Sequence, residues 1–163
     1  MPEILTLSNG LEYAVLELPK PVVREAAHVF PGVDLEGVLA VPTCQRSDVD
    51  LARTGEVIEQ EKDRLLERFM HWAKAVCEQL QAWGHWADYI DPCSGLPMIN
   101  GGQQVYSEVD GMTAMLGYQT ANAGCCKVLL HPKWGSSVYP ATMFTNAPRE
   151  KLQEAMQKAP VPK

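Results

Sequence analysis

No stretch of this sequence concentrates positive charge: its 14 lysines and arginines are scattered among 20 acidic residues, for a formal net charge of −6. Nucleic acid and anionic membrane surfaces both select basic patches, so neither is expected as a partner. No apolar run approaches the roughly 18 residues of a membrane-spanning helix. The opening stretch, MPEILTLSNGLEYAVLELPK, contains three glutamates and no arginine. It lacks both the basic start of a secretory signal and the arginines of a mitochondrial leader. Cysteine is sparse: Cys44, Cys77, Cys93, Cys125 and Cys126 form no CxxC pair and no repeated spacing. That argues against a secreted disulfide framework and for a cytoplasmic protein with reduced thiols. The four histidines (His28, His71, His85, His131) make no HxxxH or HxH, so a zinc site would need residues from distant parts of the chain.

Familiar catalytic patterns are missing as well. The Gly101-Gly102 loop has neither a phosphate-loop lysine nor the spacing of a dinucleotide fingerprint. Ser94, Ser107, Ser136 and Ser137 lie in no nucleophile-elbow pattern. Asp88 and Asp91 read as turn-capping residues rather than a paired acid and base, and Cys93 sits in a polar turn with nothing nearby to activate it.

What is present is an ordinary globular composition, 46% hydrophobic and 21% charged, over 163 residues, which suits a single domain spanning 1–163. ILTLSNGLEYAVLEL predicts a hairpin turning at Asn9-Gly10. A short helix is expected around Val22 to Phe30, and a strand through GVLAVPTCQRSDVDL, with Pro42 implying an edge position or a bulge. Over 56–83, Leu65, Phe69, Trp72, Val76, Leu80 and Trp83 recur at three- and four-residue steps. They predict one long core helix with a solvated charged face, stopped at Gly84. HWADYID, CCKVLLH and VYPATMFTN read as strands, and APREKLQEAMQK as a helix with Leu152 and Met156 inward. Interspersed strands and helices without a βαβ rhythm give an α+β fold with a mainly antiparallel sheet.

The adjacent cysteines in AGCCKVLLHPKWG carry the most chemistry. In a strand over 125–131, alternation puts Cys126, Val128 and Leu130 on a wholly apolar, core-facing side. Cys125, Lys127, Leu129 and His131 fall on the other, mixed side. Cys126 would then be a buried, inert hydrophobe. Cys125 would follow Gly124 with an ammonium two residues away, which favours the thiolate that attacks and binds soft metals. Spacing alone favours the plainer alternative, two buried structural cysteines. A vicinal disulfide is disfavoured because neighbouring side chains of an extended strand point apart.

GHWADYIDPCSG, LGY at 116–118, GCCKVLLH, WG at 134–135 and FTNA at 144–147, in that order and spacing, resemble the methylmalonic aciduria and homocystinuria type D (CblD) family of intracellular cobalamin-trafficking proteins. The likeness runs upstream through RLLERFMHWAKAVCEQL and, more loosely, VFPGV and VLAV, covering about 28–147. The resemblance implies a modified flavin-nitroreductase fold whose flavin site is lost, and no enzymatic turnover. It implies an adaptor that binds the chaperone CblC and directs cobalamin, shared with that partner, toward the methionine synthase pathway or the mitochondrial mutase. It also implies that the first cysteine of the pair, Cys125, ligates cobalt. Lys127, as the group favouring the thiolate and lining the cofactor, and His131, on the same face, come from the strand geometry instead. The segment DGMTAMLGYQTANAG is expected to form part of the partner surface. Animal members of the family have serine where Cys93 stands, and a long N-terminal extension bearing the mitochondrial signal; beside them, two expectations stand for this chain, that a targeting segment has been trimmed from the sequence or that this homologue serves the cytosol alone. The alternative is a thiol- or flavin-dependent oxidoreductase of the same fold, although no arginine cluster for a flavin phosphate is visible.

Overall fold

The computed structural model describes residues 2–124 and 126–163. The predicted N-terminal hairpin is formed by β1 (Leu5–Thr6) and β2 (Glu12–Tyr13), antiparallel, with Leu5 opposite Tyr13. Gly10 adopts φ 90°, the positive value that the Asn-Gly pair admits. The Asn9 side chain accepts from the Leu11 amide and donates to the Pro162 carbonyl, tying the turn to the C-terminus. After β3 (Leu16–Glu17), α1 spans Lys20–Val29 with Pro21 in its first turn.

The longest strands, β4 (Leu39–Arg46) and β8 (Val138–Thr145), pair along their whole length, from Leu39 opposite Thr145 to Arg46 opposite Val138. They form the middle of an antiparallel sheet ordered β1-β2-β4-β8-β5, with β3 also on β4 and β5 spanning Ala87–Tyr89. Pro42 therefore lies in a central strand, not at an edge. Thr142, opposite it, turns its amide to Glu108 and its carbonyl to Ile90. On its other side Pro42 meets the break between β2 and β3, where its carbonyl accepts from Ala14. The missing N–H thus falls where the ladder is interrupted, which is how a proline is tolerated there.

Helices cover both faces of the sheet. α2 (Glu56–Ala82) and α4 (Arg149–Lys158) pack Phe69, Trp72, Val76, Leu80, Leu152 and Met156 against Leu39, Val41, Ala141 and Met143. On the opposite face α1 and α3 (Glu108–Leu116) pack Val22, Ala26, Met112 and Leu116 against Ala40, Cys44, Val138 and Phe144. Alternate residues of β4 serve alternate faces, so both are buried and the strand shows no polar side. The predicted stripe on α2 is buried except Trp83, which caps the helix, half-buried, beneath the ammonium groups of Lys151 and Lys158. Gly84, at φ 88°, closes α2: its amide bonds to the Gln81 carbonyl and the His85 amide to that of Leu80. That doubly bonded ending is what a glycine just past a helix supplies.

The remaining strands, β6 (Gln119–Ala123) and β7 (Cys126–Leu130), pair only with each other, as a ribbon separate from the main sheet. The fold is α+β with a mainly antiparallel sheet, as the sequence predicts.

Candidate functional site

The ribbon register runs from Gln119 opposite Leu130 to Ala123 opposite Cys126, leaving two residues between the last pair. Gly124 has φ 64°, and a Cβ there would meet nothing within 4 Å. Its requirement is for the positive φ of a two-residue hairpin connection, not for space. Cys125, the candidate cobalt ligand, lies outside the described residues.

Cys126 is exposed, which corrects its expected burial. Val128 and Leu130 are half-buried, and Leu129 and His131 are the buried residues. The alternation is real, but the apolar side of Cys126, Val128 and Leu130 has no second layer to face. The ribbon stands off the sheet, with β7 against α3 and β8, so the inward residues are those on the side read as mixed.

Lys127 is exposed, and its Nζ donates to Asp110 Oδ1 of α3 at 2.5 Å. The ammonium holds the Asp110 carboxyl below its ordinary value. Asp110 in turn sits in the first turn of α3, whose N-cap is Ser107; the Ser107 Oγ accepts from the Asp110 amide. His131 does not line an open face with Lys127. It is 4% exposed, and its Nδ1 accepts from the Lys133 and Trp134 amides. That assigns the proton to Nε2, which donates to Glu12 Oε1 at 2.7 Å. The imidazole also stacks on Trp134 with centroids 3.9 Å apart and meets the edge of Tyr118. With both nitrogens engaged, His131 anchors the base of the ribbon to the N-terminal hairpin.

The first turn of α3 is a junction that the sequence reading missed. The Glu108 carboxylate accepts from the Thr142 amide at 3.0 Å and from its hydroxyl at 2.7 Å, joining α3 to β8. Burial, with Glu25 nearby, raises the Glu108 pKa to about 8. Ser107 donates its amide to Glu25 Oε1 of α1 at 2.6 Å. The run Ser107-Glu108-Val109-Asp110, followed by Gly117, carries the capping signal that would have located this helix.

A cleft of about 350 Å³ opens beside β7, lined by Lys62, Cys93, Val109, Lys127, Val128 and Tyr139 among others. It brings exposed Cys93 to the same hollow as the ribbon. Asp88 and Asp91 are the turn organisers expected: Asp88 accepts from the amides of Tyr89, Met98, Ile99 and Asn100, and Asp91 from the Cys93 amide and the Ser94 hydroxyl. Cys44 and Cys77 are buried, and burial pushes both thiols far up, which makes them inert. Among the described residues no three of His, Cys, Asp and Glu gather as a metal-holding cluster, and no helix is long and apolar enough to cross a membrane.

Comparison with known proteins bears on the ribbon. A sequence model of the family described as methylmalonic aciduria and homocystinuria type D protein matches residues 2–159. The chain is 35% identical over 144 residues to the "Cobalamin trafficking protein CblD" of Rattus norvegicus, covering 86% of this chain and 48% of the rat protein. The Homo sapiens protein of that name matches with the same identity and coverage. That of Gallus gallus is 33% identical over 141 residues, covering 84% of this chain and 47% of its own length. The chain thus spans about half the length of these relatives.

Proposed function

The chain belongs to the methylmalonic aciduria and homocystinuria type D family, and from that premise we propose that it is a non-enzymatic cobalamin-trafficking adaptor. It docks on CblC, which holds the corrin ring, and the Cys125 thiolate donates a sulfur lone pair to an axial position of the cargo cobalt. The thiol proton leaves to solvent, and no electron transfer is required. Soft sulfur suits the bond, and Lys127, two residues along, favours the anionic thiol. The cobalamin is then handed on toward the methionine synthase pathway. A reducing cytosol keeps such a thiol unoxidised and is the compartment this reading implies.

The observation that carries the reading is the ribbon on either side of Cys125 in sequence: β6 and β7 pair apart from the main sheet, up to Ala123 opposite Cys126. The exposure of that cysteine's two sequence neighbours, Gly124 and Cys126, suits a thiol that must reach a metal held by another protein. Descent from a flavin-nitroreductase fold belongs to the same reading; the α+β architecture with helices on both sheet faces is compatible with it.

The test is an absorption titration of cobalamin-loaded CblC with the wild type, Cys125→Ser and Cys126→Ser. The expected result is a cobalt–thiolate spectrum with the wild type and Cys126→Ser, and none with Cys125→Ser. A spectrum that persists with Cys125→Ser would overturn the assignment. The exposure of Cys126 gives a second reading some support, a dithiol that cycles by losing two hydrogens and two electrons to an external oxidant. Mass measurement after mild oxidation decides it: an unchanged mass removes it.

A further inference from the structure

The sheet edges of this protein are unequal. β1 is two residues long and β5 three, with Pro92 just beyond it. The part of β8 that runs past β5 carries Pro140. Short strands and prolines are the usual devices that keep an edge from pairing with another chain. β6 has none of them. Its five residues, Gln119-Thr120-Ala121-Asn122-Ala123, include no proline and no charge, and Gln119, Ala121 and Asn122 are exposed. Among the described residues β6 pairs with β7 alone, so its outer edge is unpaired.

The register identifies the groups on that edge. The pair that closes a two-residue connection, Ala123 and Cys126, exchanges main-chain hydrogen bonds, and the bonding then alternates along the strand. Gln119, Ala121 and Ala123 therefore turn their amides and carbonyls to β7, and Thr120 and Asn122 turn theirs outward. A two-stranded ribbon is marginal alone, and a third strand stabilises it.

We infer that the outer edge of β6 is the docking edge of this protein, and that it takes an extended strand of the cobalamin-holding partner by main-chain pairing to Thr120 and Asn122. This rests on the adaptor reading, which aims the cysteine between Gly124 and Cys126 in sequence at the partner's cobalt: β6 leads directly into Gly124, and that selects the partner over a second copy of the chain. A strand laid along β6 lies about two strand spacings, near 10 Å, from the far side of β7. It therefore brings the partner's surface beside Gly124 and Cys126, the exposed ends of the two strands. An edge without charge also recognises backbone rather than a charge pattern, so its binding is insensitive to salt.

Residue-resolved amide exchange, on the full chain alone and with cobalamin-loaded CblC, tests the inference. In the free protein Thr120 and Asn122 exchange fast, while Ala121 and Ala123 are protected. In the complex Thr120 and Asn122 slow by about tenfold or more. A second arm uses Asn122→Pro, which removes one outward amide and no ribbon bond; it weakens binding by about tenfold. Thr120 and Asn122 exchanging as fast in a complex that shows the cobalt–thiolate spectrum would overturn this inference and leave the adaptor reading standing. Protection that rises with concentration of this chain alone would assign the edge to self-association and overturn it equally. No complex with CblC would remove both.

Discussion

The β4–β8 pair and the β6–β7 ribbon are both antiparallel, yet they are held by different physics. β4 and β8 are buried on both faces between two helical layers, and seven of the eight residues of each are buried. Among the described residues of the ribbon only Leu129 is. Packing fixes the first pair, and hydrophobic burial there is the dominant favourable energy. The ribbon is held by its Gly124 connection, by a buried lock at its base (His131 to Glu12) and by an exposed ion pair further out (Lys127 to Asp110). The sheet pair is held by packing on both faces, and the ribbon by a few polar ties.

The contrast predicts a descending series of effects. Trp72→Ala, in the α2 core at 0% exposure, should cost about 3–5 kcal/mol in urea unfolding; a cost below about 1 kcal/mol would mean the core is not where stability resides. Next comes the Glu108 junction. Its folded pKa, raised to about 8 from an ordinary 4.5, means that the unfolded chain ionises first as pH rises. Stability should therefore be full below about pH 4.5 and fall through pH 8, by on the order of a few kcal/mol. Glu108→Gln should flatten that decline, measured as the urea midpoint against pH, because an amide cannot ionise in that buried place beside Glu25. A decline equally steep in the variant would place the titration elsewhere.

His131→Phe keeps the stack on Trp134 but leaves the Lys133 and Trp134 amides and Glu12 unpaired; it should cost about 1–3 kcal/mol and speed amide exchange along β7. Cost without faster exchange would mean the lock does not govern the ribbon. The smallest effects belong to the ribbon's outward residues. Lys127→Met and Cys126→Ser should each change stability by less than about 0.5 kcal/mol, since an exposed pair and an exposed side chain contribute little. Lys127→Met should nevertheless slow formation of the cobalt–thiolate spectrum. A variant that leaves that rate untouched would remove Lys127 from the site.

The scaffold was legible because its signals are local and repeated. The α2 stripe recurs over many turns and ends at a glycine, and Asn9-Gly10 has few alternatives to a turn. Strand β4 was legible in place but not in position, since a strand buried on both faces gives no alternation and Pro42 argues for an edge. The ribbon was misread for a different reason. Alternation reports two faces but not which one has a layer behind it: the apolar side that carries Cys126 is the outer one, and the mixed side that carries Leu129 the inner. Strand β6 was missed because Gln-Thr-Ala-Asn-Ala has little strand propensity. Helix α3 was missed because it is short, although Ser107 and Gly117 mark its ends. The Glu108–Thr142 and His131–Glu12 contacts join residues far apart in sequence, which no local pattern reports. Cys125 as ligand came from resemblance to a family; spacing alone favoured burial of both cysteines.

The most direct measurement is cobalt-edge X-ray absorption on the complex with cobalamin-loaded CblC. The account predicts a sulfur scatterer on cobalt with the wild type and with Cys126→Ser, replaced by nitrogen or oxygen with Cys125→Ser. A wild-type complex with only nitrogen and oxygen around cobalt would contradict it.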